Sequence, residues 1–297
     1  VCCVAAGRPP VAWCAGGFFC LWPCSSGAWG VWGGLALAGG ANFGKNAEAV
    51  NQDLVIPLAK RGAYVDMRYN FILKHKNLTA GSQKILIIGD SFSGDLVNMI
   101  YEGGVAPNAA IVLERTAAIC QLYFGNEDIY EFIEEKNRAQ CKEKWLSGET
   151  RSRINKLAQE ADIVVFAIAW QKWSIERIGE TLANLDIPKS AKIIVLGSKG
   201  FGKINIKSYL NMTTEERTKA RNKVDQNVIV SSKIAREIAA GNFIFVDIHA
   251  IVCGENSADC PVFTPEGKLI SYDGSHLTQA GAKFIGEKLK EQGFLRN

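Results

Sequence analysis

Two short stretches carry residue types that could do chemistry together. In "KILIIGDSFSGDL", residues 84 to 96, Gly89, Asp90 and Ser91 directly follow an apolar run, and in "SYDGSHLTQAGA", residues 271 to 282, Asp273 stands three residues before His276. A serine hydroxyl becomes a nucleophile only beside a base. An aspartate bonded to imidazole Nδ1 fixes the tautomer and leaves Nε2 free to take the serine proton. Serine, histidine and aspartate so arranged make and break acyl esters. Each stretch also has a simpler local reading: Asp90 or Ser91 caps a helix, Asp273 and Ser275 shape a turn, and Thr278 caps the last helix.

The other candidates for a base are few, since the chain has three histidines. His75 lies in the charged stretch "LKHKN" and reads as solvated. His249, in "VDIHAI", reads as a core or strand-end residue with Asp247 as its nearest carboxylate. "GSKGFGKI", residues 197 to 204, fits a phosphate-binding loop up to its last position, where Ile204 replaces the Ser or Thr that would hold Mg²⁺. It is expected instead to be a mobile Gly-rich loop at the sheet's carboxyl edge, lining the pocket. The G-x-S-x-G elbow of α/β-hydrolases is absent because position 93 is Ser. No cofactor is called for.

The elements that must position these residues follow from the apolar pattern. Near-continuous runs rich in Ile and Val at 84–88, 109–113, 162–168, 192–196 and 243–246 read as strands buried on both faces. Helical patterns fall at about 92–102, 127–138, 148–160, 174–185, 213–240 and 278–293. Such alternation predicts an α/β fold, a three-layer α/β/α sandwich around a five-stranded parallel sheet. Ser91 then sits at the carboxyl end of the first strand, where open parallel sheets bind ligands. Residues 84–297 are expected to form this domain and 45–83 a partly helical lead-in.

Of the 297 residues, 34 are basic and 30 acidic, a balance of +4 too dispersed to argue for a nucleic-acid surface. Residues 1–44 differ in kind: Arg8 is their only charge, and they hold five of the nine cysteines, four of the seven tryptophans and ten of the 29 glycines. Two readings stand: a membrane span or its remnant, since about 20 apolar residues suffice to cross, or non-native sequence of the kind a wrong reading frame yields.

The Gly-Asp-Ser and Asp-x-x-His blocks together resemble the SGNH/GDSL hydrolases, which have a flavodoxin-like sheet, over about residues 80 to 297. The resemblance implies Ser91 as nucleophile, His276 as general base, Asp273 as its orienting partner and the Ser91 N–H as one oxyanion donor. The family's usual Gly-x-Asn-Asp block is missing, for the third strand ends "FAIAWQKW". Trp170 there matches one branch, the extracytoplasmic SGNH domain fused behind an acyltransferase-3 membrane domain in O-acetyltransferases of surface glycans. Gly89, Asp90, Trp170 and Gln171 are the remaining oxyanion or substrate candidates. Trp170 and Trp173 are read either as sugar-stacking or as core, and Gly125 as a weak match to the family's second-block glycine.

Beyond residue 44 four cysteines remain, and the local pairs Cys120–Cys141 and Cys253–Cys260 are the expected disulfides, as the resembling branch favours; the alternative is four reduced, buried cysteines. Zinc is disfavoured by the absence of a C-x-x-C pair and of a histidine at ligand spacing. Disulfides would imply an oxidising, extracytoplasmic compartment. The resemblance implies acetyl transfer to a lipopolysaccharide-type glycan, with an acyltransferase-3 membrane domain as partner, absent here unless residues 10–42 are the end of its last span. The chain would then be a C-terminal fragment, tethered to a membrane when complete. A free-standing carbohydrate esterase and a non-catalytic glycan-binding module are the alternatives.

Overall fold

The computed structural model describes Leu54, residues 58–74 and residues 83–296. All belong to the larger of the chain's two units, Phe43–Asn297. The segment 1–44 and His75 lie outside the described residues.

The lead-in carries helix α1 (Leu58–Lys74). Strand β1 (Gln83–Gly89) then runs into helix α2 (Ser91–Glu102), and β2 (Ala109–Arg115) follows. After short helices that include α3 (Glu135–Gln140), helix α4 (Gly148–Ala158) leads to β3 (Ile163–Ala167). Helices α5 (Lys172–Glu176) and α6 (Ile178–Ala183) precede β4 (Lys192–Leu196). Beyond it come α7 (Ile206–Tyr209), α8 (Thr214–Lys219), β5 (Arg221–Lys223) and α9 (Gln226–Ile238). The chain closes with β6 (Ile244–Val246), α10 (Ile248–Cys253), β7 (Asp259–Pro261) and α11 (Gln279–Glu291).

Five strands form one parallel sheet in the order β2-β1-β3-β4-β6. Alternate strand residues serve opposite faces, as a period of two requires. Ile85, Ile87, Val165 and Leu196 pack with Leu96 and Met99 of α2 and with Ile285 and Leu289 of α11. Leu86, Ile88, Val164, Phe166 and Val195 pack with Ile154 of α4, Ile178 of α6 and Ala235 of α9. The result is the expected three-layer sandwich. Strand order reverses between β1 and β3, which makes their carboxyl ends the switch point.

Three helix expectations are corrected. The pattern at 213–240 reads as continuous, yet the chain leaves α8 at Ala220, extends as β5 against β7, and re-enters helix at α9. Two caps explain the break. Thr213 and Glu216 form a capping box for α8, and Asp225 caps α9 by accepting from the Asn227 N–H at 2.8 Å. Likewise 174–185 divides at Arg177 into α5 and α6, and the pattern at 127–138 yields a 3₁₀ turn at Tyr130–Phe132 followed by α3.

Both local disulfides form, Cys120–Cys141 and Cys253–Cys260, with Cα atoms 5.3 and 4.5 Å apart. Among the described residues no helix is long and apolar enough to cross a membrane.

Candidate active site

Ser91 is the first residue of α2, and the turn before it is built for exposure. Gly89 ends β1 so close to β3 that a Cβ would run into the Ala167 carbonyl. Asp90, buried, caps the helix: Oδ1 accepts from the Phe92 N–H at 2.9 Å, and Oδ2 accepts from the Ala169 N–H beyond β3 at 3.0 Å. The Ser93 N–H donates to the Asp90 carbonyl at 3.0 Å. Burial pushes the Asp90 carboxyl up, against the hydrogen bonds from Phe92 and Ala169. The second and third N–H groups of α2 are thus occupied, and that of Ser91 stands first at the helix's positive end. Of the oxyanion candidates, Gly89 and Asp90 therefore act on the backbone of this turn.

The loop before α11 brings His276 to the serine. His276 Nε2 stands 2.9 Å from Ser91 Oγ, and its Nδ1 stands 2.7 Å from Asp273 Oδ2. Asp273 Oδ1 accepts from the N–H groups of Ser275 and His276, at 2.8 and 2.7 Å. Burial opposes ionisation of Asp273, but these bonds outweigh it and hold the carboxyl well below the usual range. The Asp273 hydrogen bond raises the His276 pKa above its ordinary value, with burial acting the other way. If Nδ1–H donates to Asp273, Nε2 is left as an acceptor for the serine proton. Thr278 caps α11, its Oγ1 accepting from the Gly281 N–H at 2.9 Å.

Cavities flank this chain of hydrogen bonds. One of about 490 Å³ is bounded by Gly62, Val65, Asp66, Ser91, Tyr272 and His276. Another of about 550 Å³ adjoins the Asp273–Ser275 loop, against Phe92, Lys199, Lys203, Asp225 and Asn227. The Gly-rich loop 197–204 supplies part of its wall, as its position after the fourth strand suggests.

The other candidates fall into two groups. Trp170 borders the larger cavity but is 1 % exposed, with its indole N–H donating to the Leu196 carbonyl at 2.8 Å. It has no open face for a sugar. Trp173 is buried too, stacked on Phe132 beside the Cys120–Cys141 bridge. Of the two readings of these tryptophans, core is the one realised. Gln171 is exposed, its Oε1 accepting from the Trp173 indole N–H at 2.7 Å. Gly125 packs against Tyr123 and Glu180, whereas the β2 residue in register with Gly89 is Arg115.

Three residues escaped the sequence reading. Gln121, buried at a φ of 57°, ties the loops after β2 and β3 together: its Nε2 donates to the Ala118 and Ala169 carbonyls, and its Oε1 accepts from the Gln171 N–H. Asp95 and Lys199 form an ion pair at 2.8 Å with both side chains buried.

His249 is buried on α10, as expected of a core residue, with Nε2 2.8 Å from the Ser257 carbonyl. Asp247 does lie beside it, but caps α10 and pairs with Arg236. One correction concerns metal-ligand spacing. His249 and Cys253 are one helical turn apart, and the ligand atoms of His249, Cys253 and Cys260 lie within 4.8 Å of one another. Both sulfurs are in the disulfide, so neither is a thiolate ligand.

Comparison with known proteins gives three findings. Residues 65–291 match the family model described as SGNH domain (fused to AT3 domains). Comparison with curated proteins gives no match. Among solved structures, the periplasmic domain of a Salmonella ser. Paratyphi A lipopolysaccharide acetyltransferase superposes with a TM-score of 0.51 at 14 % identity, over 84 % of this chain and 94 % of that one. At that identity the likeness shows a shared fold. The C-terminal catalytic domain of the Streptococcus pneumoniae peptidoglycan O-acetyltransferase A gives a TM-score of 0.35 at 12 % identity, over 72 % of this chain and 95 % of that one.

Proposed function

The chain belongs to the family of SGNH domains found fused to AT3 domains, and on that footing we propose that it transfers O-acyl groups, acetyl foremost, through an acyl-serine. The observation that carries this reading is the unbroken series Asp273 Oδ2, His276 Nδ1, His276 Nε2 and Ser91 Oγ, with gaps of 2.7 and 2.9 Å. Ser91 Oγ attacks the carbonyl carbon of an acyl ester while His276 Nε2 takes its proton. The oxyanion is stabilised by the Ser91 N–H at the start of α2. His276 then returns the proton to the departing alkoxide, leaving acyl-Ser91 and a free alcohol. A sugar hydroxyl, deprotonated by His276, attacks the acyl-serine in the second half and releases Ser91.

The acceptor we propose is a surface polysaccharide in an extracytoplasmic compartment, reached with an acyltransferase-3 membrane domain as donor partner. Support comes from the family's fusion to AT3 domains, from the named activity of the Salmonella domain of the same fold, and from the two disulfides. The test treats the chain and its Ser91→Ala variant with a fluorophosphonate probe and follows p-nitrophenyl acetate hydrolysis in parallel. Labelling and turnover are expected to vanish together in the variant. Equal turnover in both would overturn the reading. Stimulation by added glycan of p-nitrophenol release, with acetate appearing on the glycan, is the result expected of a transferase.

A further inference from the structure

Ser91 and His276 lie at opposite ends of the domain's sequence, and proton transfer between them depends on how the loop carrying His276 is held against α2. Asp95 stands one helical turn beyond Ser91 on α2. Its Oδ1 accepts from the N–H of Leu277, the residue next to His276, at 3.1 Å. Its Oδ2 lies 2.8 Å from Lys199 Nζ, and the same ammonium donates to the Ser275 carbonyl at 2.7 Å. Both residues next to His276 are thereby tied to one ion pair.

The pair is also wedged in place. Lys199 and Asp95 side chains are 3 % and 0 % exposed. Lys199 Nζ lies 3.3 Å from the centroid of the Phe92 ring, which meets the His276 ring edge-on at 6.5 Å. Backbone contacts continue the clamp: the Phe201 N–H donates to the Gly274 carbonyl at 2.8 Å, and a Cβ on Gly274 would run into the Gly202 carbonyl. Ion pairs this deep lose much of their attraction to desolvation, so apolar residues would often stabilise a fold as well. A geometric role accounts for charges in such a place.

We infer that the buried Lys199–Asp95 pair is the positioning device of this site, pinning the Ser275–Leu277 segment to α2 and so setting the distance from His276 Nε2 to Ser91 Oγ. The inference rests on the roles proposed for Ser91 and His276. The charged groups facing His276 are Asp273 on its own loop, Asp90 and Asp95 on α2 and its cap, Lys199 on the loop after β4, and Asp66 of α1 across the smaller cavity. Asp95 favours the imidazolium and Lys199 disfavours it. Their removal must therefore move His276 in opposite directions.

The experiment uses the full chain and three variants, Lys199→Met, Asp95→Asn and the double variant, which leaves no lone buried charge should either single variant fail to fold. Folding is checked by circular dichroism, and His276 is titrated by NMR, where three histidines give three resonances to assign. Lys199→Met is expected to raise the His276 pKa, Asp95→Asn to lower it, and the double variant to return it towards wild type. In every folded variant kcat for p-nitrophenyl acetate is expected to fall about 10- to 100-fold, as misplacement by about an ångström does, with KM changed less than about twofold. A folded double variant with wild-type kcat, or folded single variants that shift His276 the same way, would overturn the inference. Turnover that survives Ser91→Ala would instead remove the catalytic reading, while the titrations would still show whether the pair sets the imidazole's environment.

Discussion

The serine and the histidine reach the site by different physical routes. The segment 84–96 is held from within the sheet: Ile85 to Ile88 are fully buried, Asp90 caps the helix that follows, and the strand pairs on both sides. Residues 271–276 belong to no helix and no sheet strand; hydrogen bonds from Ser271 and Asp273 shape the loop from within, and Lys199, Phe201 and Gly202, with Asp95 on the next residue Leu277, hold it against the rest of the domain. One half of the site is thus set by burial and hydrogen-bond ladders, the other by a few polar contacts. Damage to the first should read out as lost stability, and damage to the second as lost catalysis in a folded protein.

The sharpest test of that contrast is Asp273→Asn. It removes the carboxylate proposed to orient His276 and spares the core, so kcat is expected to drop by about 10³- to 10⁴-fold in a protein that still folds, its thermal transition lowered by loss of the charge that these hydrogen bonds stabilise. A variant that unfolds would place Asp273 among the structural residues.

Two glycines make a matched pair. Gly274 has a φ of 95° and abuts Gly202, so Gly274→Ala displaces the loop and is expected to cost about 100-fold in kcat. Gly89→Ala forces a methyl between β1 and β3 and is expected to cost about 1–3 kcal/mol or more of stability, read by urea unfolding. The reverse assignment of these losses would break the comparison.

A pH profile probes the histidine half alone. As the proposed base His276 must be neutral to act, and Asp273 raises its pKa. The acid limb of kcat/KM is therefore expected above the ordinary histidine value of 6.5, with activity lost as pH falls through it. In Asp273→Asn whatever activity remains should show that limb at lower pH.

The smallest effect is expected at Trp170. Trp170→Phe loses the hydrogen bond to the Leu196 carbonyl, worth about 1 kcal/mol, and leaves kcat within about twofold. A large fall in kcat with unchanged stability would put this ring in contact with substrate.

The same division governs what could be read from the chain before its structure. "KILIIGDS" announces a buried strand, a tight turn and a capped helix within eight residues, because each of those signals is local. The five parallel strands were legible for the same reason: β4 runs over the expected residues, and no end of the other four lies more than two residues from its expected place. Asp273 and His276 were legible as a pair three residues apart in a turn that Asp273 itself shapes, but nothing nearby shows what holds that turn against α2. Lys199 lies in a Gly-rich stretch and Asp95 in a helix, both residue types that are usually solvated. Their pairing exists only once β1 and β4 share a sheet. Gln121 is hidden by its left-handed backbone, which a non-glycine residue rarely adopts. The break at Ala220–Asp225 was missed because mixed charges sustain a helical pattern through it, although Thr213 and Asp225 carry the cap signals that mark two starts.

The most direct measurement on the central claim is to trap the acyl-enzyme. The chain is mixed with p-nitrophenyl acetate, quenched in acid during the first turnover, digested, and its peptides are mapped by mass spectrometry. Acetyl on Ser91, together with a burst of p-nitrophenol matching the enzyme present, is the expected result. Sustained turnover with Ser91 unmodified, or acetyl carried on another residue that turns over at the same rate in Ser91→Ala, would contradict it.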